Sequence, residues 1–269
     1  MKRNKGLTER EKYLRAVKKR KIFVNLSRGA ILVLLFGLWE LFARLNIIDS
    51  FIMSCPSRLW EVFGDMLKDD LVLHIYTTFY ETVVGFLLGI FLGLFIAILL
   101  WWFPTFAKVC DPYIVVLNAL PKIALGPIII VIVGAGPKAI IFMALAISLI
   151  VTIMQMYSGF KNTDRGMCEM IGAFGASKLQ TLTKVVIPGN LGTLFTSMRI
   201  NIGLSLVGVV AGEFLVSEAG LGYLIMYGGQ VFRMDLVMTS VIILALAASL
   251  MYIATALLEK WVMKYLSHS

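Results

Sequence analysis

Residues 82–107 read TVVGFLLGIFLGLFIAILLWWFPTFA, a run of 26 residues without a charged side chain. A helix needs about 20 apolar residues to cross the hydrocarbon layer of a membrane, so this run is long enough to span it. Two further uncharged runs of similar length occupy residues 139–160 and 236–258. These three runs predict transmembrane helices and exclude an ordinary water-soluble domain.

The composition of the whole chain agrees with a membrane protein. Of the 269 residues, 59% are hydrophobic and only 15% are charged, and the mean hydropathy is +0.87. Three more segments are apolar but contain embedded charges, at about 29–48, 112–134 and 190–214. In the first of these, Glu40 and Arg44 are spaced to neutralise one another on one helix face. We therefore predict an all-α membrane protein with six transmembrane helices.

The net charge of +9 is confined to one end of the chain. Residues 1–28 hold eleven Lys and Arg against two acids, so the remaining 241 residues are electrically balanced. Basicity limited to one terminus is typical of an anchor at a charged membrane face and not of a nucleic-acid-binding surface. The pattern predicts a basic cytoplasmic segment, 1–28, followed by a six-span domain, 29–269.

The distribution of basic residues over the loops predicts the orientation. With the N-terminus inside, the inner segments hold eighteen Lys and Arg and the outer segments hold five. Positively charged loops remain on the cytoplasmic side, so both termini are expected in the cytoplasm. His74 and His268 stand alone at the ends of a span and of the chain, and we expect them to be solvated.

Two connections between spans are long enough to have structure of their own. In the outer one, 49–78, apolar residues after Pro56 predict a short helix lying at the membrane surface. The inner one, 161–189, is predicted as two short helices. Asp164 can cap the first helix, Ser177 and Gln180 have the capping-box spacing for the second, and Pro188 is expected to end it.

The 161–189 loop resembles the EAA loop of bacterial ATP-binding cassette importer permeases. Glu169, Gly175 and the sequence VVIP at 185–188 have the spacing of that motif, with Met170 and Ile171 in place of its two alanines. The resemblance implies that this loop docks into an ATPase subunit. The positions that it assigns to this contact are Glu169, Gly172, Gly175, Ala176, Ser177 and Pro188.

The resemblance extends over nearly the whole chain and is to the nitrate, sulfonate and taurine branch of these permeases. It is carried by Trp39-Glu40, Pro56-Ser57, Asp111-Pro112, LPKIALGP at 120–127, GAG at 134–136, Arg199, Glu213 and GLGYL at 220–224. It implies the type I importer permease fold in the bacterial inner membrane. The implied partners are a second copy of the chain, two ATPase subunits that hold ATP and Mg²⁺, an extracytoplasmic solute-binding protein and the lipid bilayer. The implied solute is an anion such as a sulfonate, taurine or nitrate; a thiamine precursor or a riboflavin-like heterocycle is the alternative.

Charges inside the predicted spans are the candidates for the solute pathway. Lys122, beside Pro121, would lie near mid-membrane in a straight third span, where it either attracts an anionic solute or satisfies backbone carbonyls freed by the prolines. Arg199 and Glu213 are four turns apart on one face of span five. They either line the pathway or pair with other spans, and Asn201 and Ser205 add polarity near that face.

Gly85, Gly89 and Gly93 form a ridge of small residues on span two, which permits close contact between helices in lipid. The ridge serves either packing within the chain or the seam of a dimer. Cys55, Cys110 and Cys168 are widely spaced and have no neighbouring His, so neither a metal site nor a disulfide framework is indicated.

The sequence contains no GxxxxGK[ST] phosphate-binding loop, which predicts a transport subunit whose ATPase activity resides on another chain. A secondary transporter driven by an ion gradient is the remoter alternative, although no inverted repeat of broken helices is visible. An intramembrane enzyme would need a metal-binding or nucleophile motif, and the spans contain none.

Overall fold

The computed structural model describes residues 9–266, and these residues form helices joined by short turns. The segments 1–8 and 267–269, which include part of the basic terminus and His268, lie outside the described residues. The first half of the described chain contains α1 (Glu9–Arg44), α2 (Ser50–Met53), α3 (Pro56–Met66), α4 (Leu71–Trp102), α5 (Pro104–Ala119), a 3₁₀ turn (Lys122–Leu125), α6 (Gly126–Val133) and α7 (Pro137–Lys161). The second half contains α8 (Arg165–Ala173), α9 (Lys178–Thr181), a π-helical turn (Leu182–Val186), α10 (Ile187–Gly189), α11 (Leu191–Val216), α12 (Leu221–Gln230) and α13 (Met234–Leu266).

Five helices of the described chain are long and apolar enough to cross a membrane. They are α1, α4, α7, α11 and α13. A sixth crossing is provided by α5 together with the segment 122–133, and the two halves meet at an angle of 87°. The prediction of six spans therefore holds if this broken pair counts as one.

The break in the third span falls at Leu120 and Pro121, because Leu120 has extended backbone angles (φ −64°, ψ 136°). A residue before proline is kept out of the helical region by contact with the proline ring. Lys122 therefore begins a new segment, and the prediction of a straight third span that contains it is wrong.

The centre of the fold is formed by α4, α7 and α11, whose backbones approach closely at glycines. A Cβ atom added to Gly85 would lie 2.6 Å from the Cβ of Ala144 on α7, and one added to Gly93 would lie 2.6 Å from Thr152. A Cβ atom added to Gly208 on α11 would lie 2.9 Å from the Cα of Ala144. The glycine ridge of α4 thus packs against α7 of its own chain, and these contacts lock the three helices together.

The first helix is attached to the rest of the chain near one end. Glu40 forms an ion pair with Arg44 over 2.7 Å, as the spacing predicts, and also accepts hydrogen bonds from the backbone and the hydroxyl of Ser57 at the start of α3. Most of the other side chains of α1 between Tyr13 and Leu45 are exposed in this single chain. The helix α3, Pro56–Met66, confirms the short helix predicted after Pro56 in the 49–78 segment.

Candidate functional site

The first helix of the 161–189 loop projects from the body of the protein. Asp164 caps α8 by accepting a hydrogen bond from the backbone of Gly166 over 2.7 Å, as predicted. The apolar side chains of Met167, Met170 and Phe174 are exposed, and Phe174 is 85% accessible. Exposed apolar side chains on a short helix are typical of a surface that docks into a groove on a partner.

The second part of the loop is one continuous helical run. Ser177 and Gln180 form the predicted capping box that starts α9, and Gly175, with φ +83°, makes the turn before it. The helical run ends at Gly189, one residue after Pro188, and α11 begins at Leu191, so the predicted end at Pro188 is confirmed to within one residue. The π-helical turn before Pro188 widens the helix, and such a turn accommodates a residue that cannot donate a backbone hydrogen bond.

This second helical run packs into the body of the protein. Leu182 and Val186 are buried in one apolar cluster with Ala97 of α4 and with Met156 and Phe160 of α7. The 161–189 loop therefore exposes Met167, Met170 and Phe174 of its first half, whereas Leu182 and Val186 of its second half are part of the core. Cys168 of the first half packs against this cluster. A force applied to the first half would reach α4 and α7 through this cluster.

Two polar contacts add to this attachment. The ammonium group of Lys178 donates to the backbone oxygen of Trp102 at the end of α4 and lies over the rings of Trp101 and Trp102, at 5.6 and 5.2 Å from their centroids. A cation at the carboxyl end of a helix is favoured by the helix dipole. Asn190 donates to Thr163 and to the backbone oxygen of Val186, both over 2.8 Å, and so joins the two ends of the loop.

The candidate pathway residues of span five lie inside the packing between helices. Asn201 is completely buried and donates to Thr152 of α7 and to Ser197, over 2.9 and 3.0 Å. Ser205 is also completely buried. Arg199 forms an ion pair with Glu259 of α13. The structure therefore brings these side chains against α7 and α13, whereas their facing a pathway stays a prediction.

Glu213 belongs to a buried network that caps α12. It is 1% exposed and accepts hydrogen bonds from Thr78 of α4 over 2.6 Å and from the backbone of Gly222 over 2.5 Å. The backbone of Leu221 donates to Thr78 over 2.7 Å, and that of Gly220 donates to Nδ1 of His74 over 3.0 Å. A carboxylate at a helix N-terminus satisfies unpaired N–H groups and interacts favourably with the dipole.

The sequence reasoning missed the part of this network that lies on α4. His74 is half-buried and stacked on Tyr223, so the expectation of a solvated side chain is wrong. Glu81 is 1% exposed, and its carboxyl group lies against that of Glu213. The available signal was the spacing of His74, Thr78 and Glu81, which places three polar side chains on one face of a span.

Lys122 lies at the broken span. Its ammonium group donates to the backbone oxygen of Asn118 over 2.9 Å. This carbonyl is freed because α5 ends at Ala119, before the backbone of residue 122 can bond to it. Within residues 9–266 no three His, Cys, Asp or Glu side chains come together in a way that could hold a metal ion.

Comparison with known proteins agrees with this geometry. The family model described as "Binding-protein-dependent transport system inner membrane component" matches residues 89–268. The riboflavin transport system permease protein RibX of Chloroflexus aurantiacus is 29% identical over 235 residues, which are 87% of this chain and 88% of that protein. The taurine transport system permease protein TauC of Escherichia coli is 24% identical over 243 residues, covering 88% of both chains.

The fold is that of a solved importer. A chain of the methionine ABC transporter MetNI, in an inward facing conformation, superposes with a TM-score of 0.65 at 21% identity. The superposition covers 71% of this chain and 95% of that one. The architecture described above is therefore that of a type I ABC importer permease.

Proposed function

Since the chain belongs to the family of binding-protein-dependent transport system inner membrane components, we propose that it carries a small solute into the cytoplasm with energy from an ATPase docked on its 161–189 loop. A binding protein on the opposite side of the membrane delivers the solute. The chain itself provides the path and performs no chemical reaction.

The observation that carries this proposal is the contrast between the two halves of the loop. Phe174 and its apolar neighbours Met167 and Met170 are exposed, whereas Leu182 and Val186 are buried against α4 and α7. The exposed half of the loop binds the ATPase subunit, which moves. The buried half is packed against the spans, so the loop transmits the movement of the ATPase subunit to the spans. The proposed contact residues at this surface are Glu169, Gly172, Gly175, Ala176 and Ser177.

The proposed assembly contains two copies of this chain, two ATPase subunits with their ATP and Mg²⁺, and one solute-binding protein. Both termini of the chain lie in the cytoplasm, in agreement with the excess of basic residues in the inner segments. The solute is small. The sequence-based preference for an anion came from the family resemblance and from Lys122. One of the three N–H groups of Lys122 donates to the backbone oxygen of Asn118, and this contact does not require an anionic solute.

The test is transport by the assembled complex in proteoliposomes, with radiolabelled taurine and riboflavin as probes. Glu169→Lys reverses a charge on the exposed helix, and Gly175→Asp forces a side chain into a backbone conformation that favours glycine. Both variants should insert normally and lose ATP-dependent uptake by about tenfold or more, the effect of removing about 1.4 kcal/mol of partner binding.

Lys68→Glu supplies a matched control, because Lys68 is exposed and belongs to the connection before α4, away from the loop. It should transport normally. Normal uptake by both loop variants would refute the docking assignment. Uptake that continues without any ATPase subunit would favour the secondary transporter instead.

A further inference from the structure

A polar cleft opens between α7, α11 and α13, at the end of the bundle that carries the 161–189 loop. Its volume is 980 Å³. The polar side chains that line it include Gln155, Ser158, Asn162, Thr193, Thr196 and Glu259. Ligand sites in proteins commonly have volumes of about 300–1,000 Å³, so the cleft is large enough for a small solute.

The polar lining is spaced along the faces of two membrane helices. Gln155, Ser158 and Asn162 follow one another at helical spacing on α7, and Thr193 and Thr196 do so on α11. Amide and hydroxyl groups are costly in contact with lipid, so a polar stripe on a spanning helix faces protein or water. Ser158, Asn162 and Thr196 are exposed in this chain, which shows that no other helix of the chain covers them.

One lining group has unused hydrogen-bonding capacity. The amide oxygen of Gln155 is buried without a hydrogen-bond partner. The amide oxygen of Asn201 and the hydroxyl of Ser205, on the enclosed face of α11, are buried without a partner as well. The groups that the cleft exposes to a solute are the hydroxyls of Ser158 and Thr196, which can both donate and accept.

The charge of the cleft limits what it accepts. Glu259 is the charged residue among those that line it, and its carboxylate is paired with Arg199. No lining residue supplies a free positive charge. Because the charges of Glu259 and Arg199 balance, an anion entering the cleft would lose hydration without an unpaired cation to compensate, which is unfavourable at low dielectric constant.

The cleft is joined directly to the 161–189 loop. Asn190 lines it and also holds both Thr163 and Val186 at the two ends of the loop. Gly159, another lining residue, packs against the side-chain oxygen of Asn190, which would lie 2.6 Å from a Cβ atom at that position. A displacement of the loop therefore changes the wall of the cleft without any intermediate element.

We infer that this cleft is the cytoplasm-side part of the solute pathway and that it takes a small polar solute without net negative charge. The inference rests on the proposed transport function and assigns it a location and a solute class. The inferred lining of the pathway is the surface that carries Gln155, Ser158 and Thr196. It is not the face that carries Asn201 and Ser205, because those two side chains are fully buried.

The location is tested by cysteine accessibility in the assembled transporter in inside-out vesicles. Ser158→Cys and Thr196→Cys should react with a membrane-impermeant methanethiosulfonate reagent, measured as labelling above that of the unsubstituted chain. Ser249→Cys is the matched control, since Ser249 is an exposed serine of α13 that does not line the cleft. It should stay unlabelled. Labelling of Ser249→Cys alone, or of none of the three, would overturn the location.

The role in transport is tested with variants that remove one hydroxyl each. Ser158→Val and Thr196→Val should lower the maximal rate of uptake by about threefold to tenfold, the loss of about one hydrogen bond, while ATP hydrolysis continues. Ser249→Val should transport normally. Unchanged uptake in both cleft variants would refute the role of the cleft, whereas uptake that continues without any ATPase subunit would refute the proposed function itself.

The solute class is tested by mass spectrometry of the ligand that remains on the solute-binding protein when the complex is purified. A ligand without net negative charge, such as riboflavin, agrees with the inference. A ligand with net negative charge, such as an alkanesulfonate without an amine, would overturn the class even if the cysteine labelling succeeds.

Discussion

The hydroxyl of Thr78 donates to the carboxylate of Glu213 over 2.6 Å, although the two residues are 135 positions apart in the chain. The same hydroxyl accepts a hydrogen bond from the backbone of Leu221. Thr78 is thus shared between α11 and the first turn of α12, and all three groups are buried. These hydrogen bonds connect α4, α11 and α12 at the end of the bundle opposite the 161–189 loop.

Replacement of Thr78 by Val should destabilise the protein, because it leaves the N–H of Leu221 and one oxygen of Glu213 unpaired. An unpaired buried polar group costs about 1–3 kcal/mol. The measurement is the thermal unfolding midpoint of the purified protein in detergent. Thr77→Val is the control, since Thr77 bonds only to the preceding turn of its own helix. Equal midpoints for the two variants would contradict the role of Thr78.

Replacement of Gly89 by Ala should separate α4 from α7, because the new methyl group would collide with the side chain of Ser148. Overpacking of this kind costs about 1–3 kcal/mol. The double variant with Ser148→Ala should recover part of the lost stability. Gly37→Ala is a control at which no atom lies within 4 Å of the added group. If Gly89→Ala were as stable as this control, the close contact of α4 with α7 would be wrong.

Arg199→Met should destabilise the contact between α11 and α13, because Glu259 would lose its charged partner. A hydrogen bond to a charged group contributes about 1.5–3 kcal/mol. A double-mutant cycle with Glu259→Gln measures the coupling between the two side chains. Additive effects of the two substitutions would show that the ion pair contributes nothing.

Lys178→Met should loosen the second half of the 161–189 loop from α4, because it removes the hydrogen bond to Trp102 and the stacking on two indole rings. Faster hydrogen exchange of residues 178–189 is the expected result, while α8 exchanges at its normal rate. Lys184→Met changes an exposed lysine of the same helical run and serves as the comparison. Identical exchange in both variants would argue against an anchor at Lys178.

Features that depend on neighbouring residues were predictable. The caps at Asp164 and Ser177 form as their spacing indicates, because each bond spans two or three residues. The pairing of Glu40 with Arg44 follows from one turn of helix. The helical run also ends within one residue of Pro188, as that proline predicts, but the π-helical turn before it was not predictable from the sequence.

The candidate site was predictable in part, because the 161–189 loop has its own pattern of caps and apolar spacing. The interior polar residues were harder. Arg199 and Glu213 were candidates because a charge within an apolar run is visible in the sequence. Glu81 escaped attention because it precedes an uncharged run, and only the packing of α4 against α11 shows that it is buried.

The sequence by itself determined that this is a membrane protein with about six crossings and a structured loop, since the length of apolar runs and the positions of caps are properties of consecutive residues. The tertiary structure decided which polar side chains meet and which remain exposed. Those choices depend on how each helix is rotated about its axis, and that rotation is set where Gly85, Gly93 and Gly208 let neighbouring backbones approach. For this reason Asn201 is enclosed between helices while Ser158 and Thr196 face a cleft.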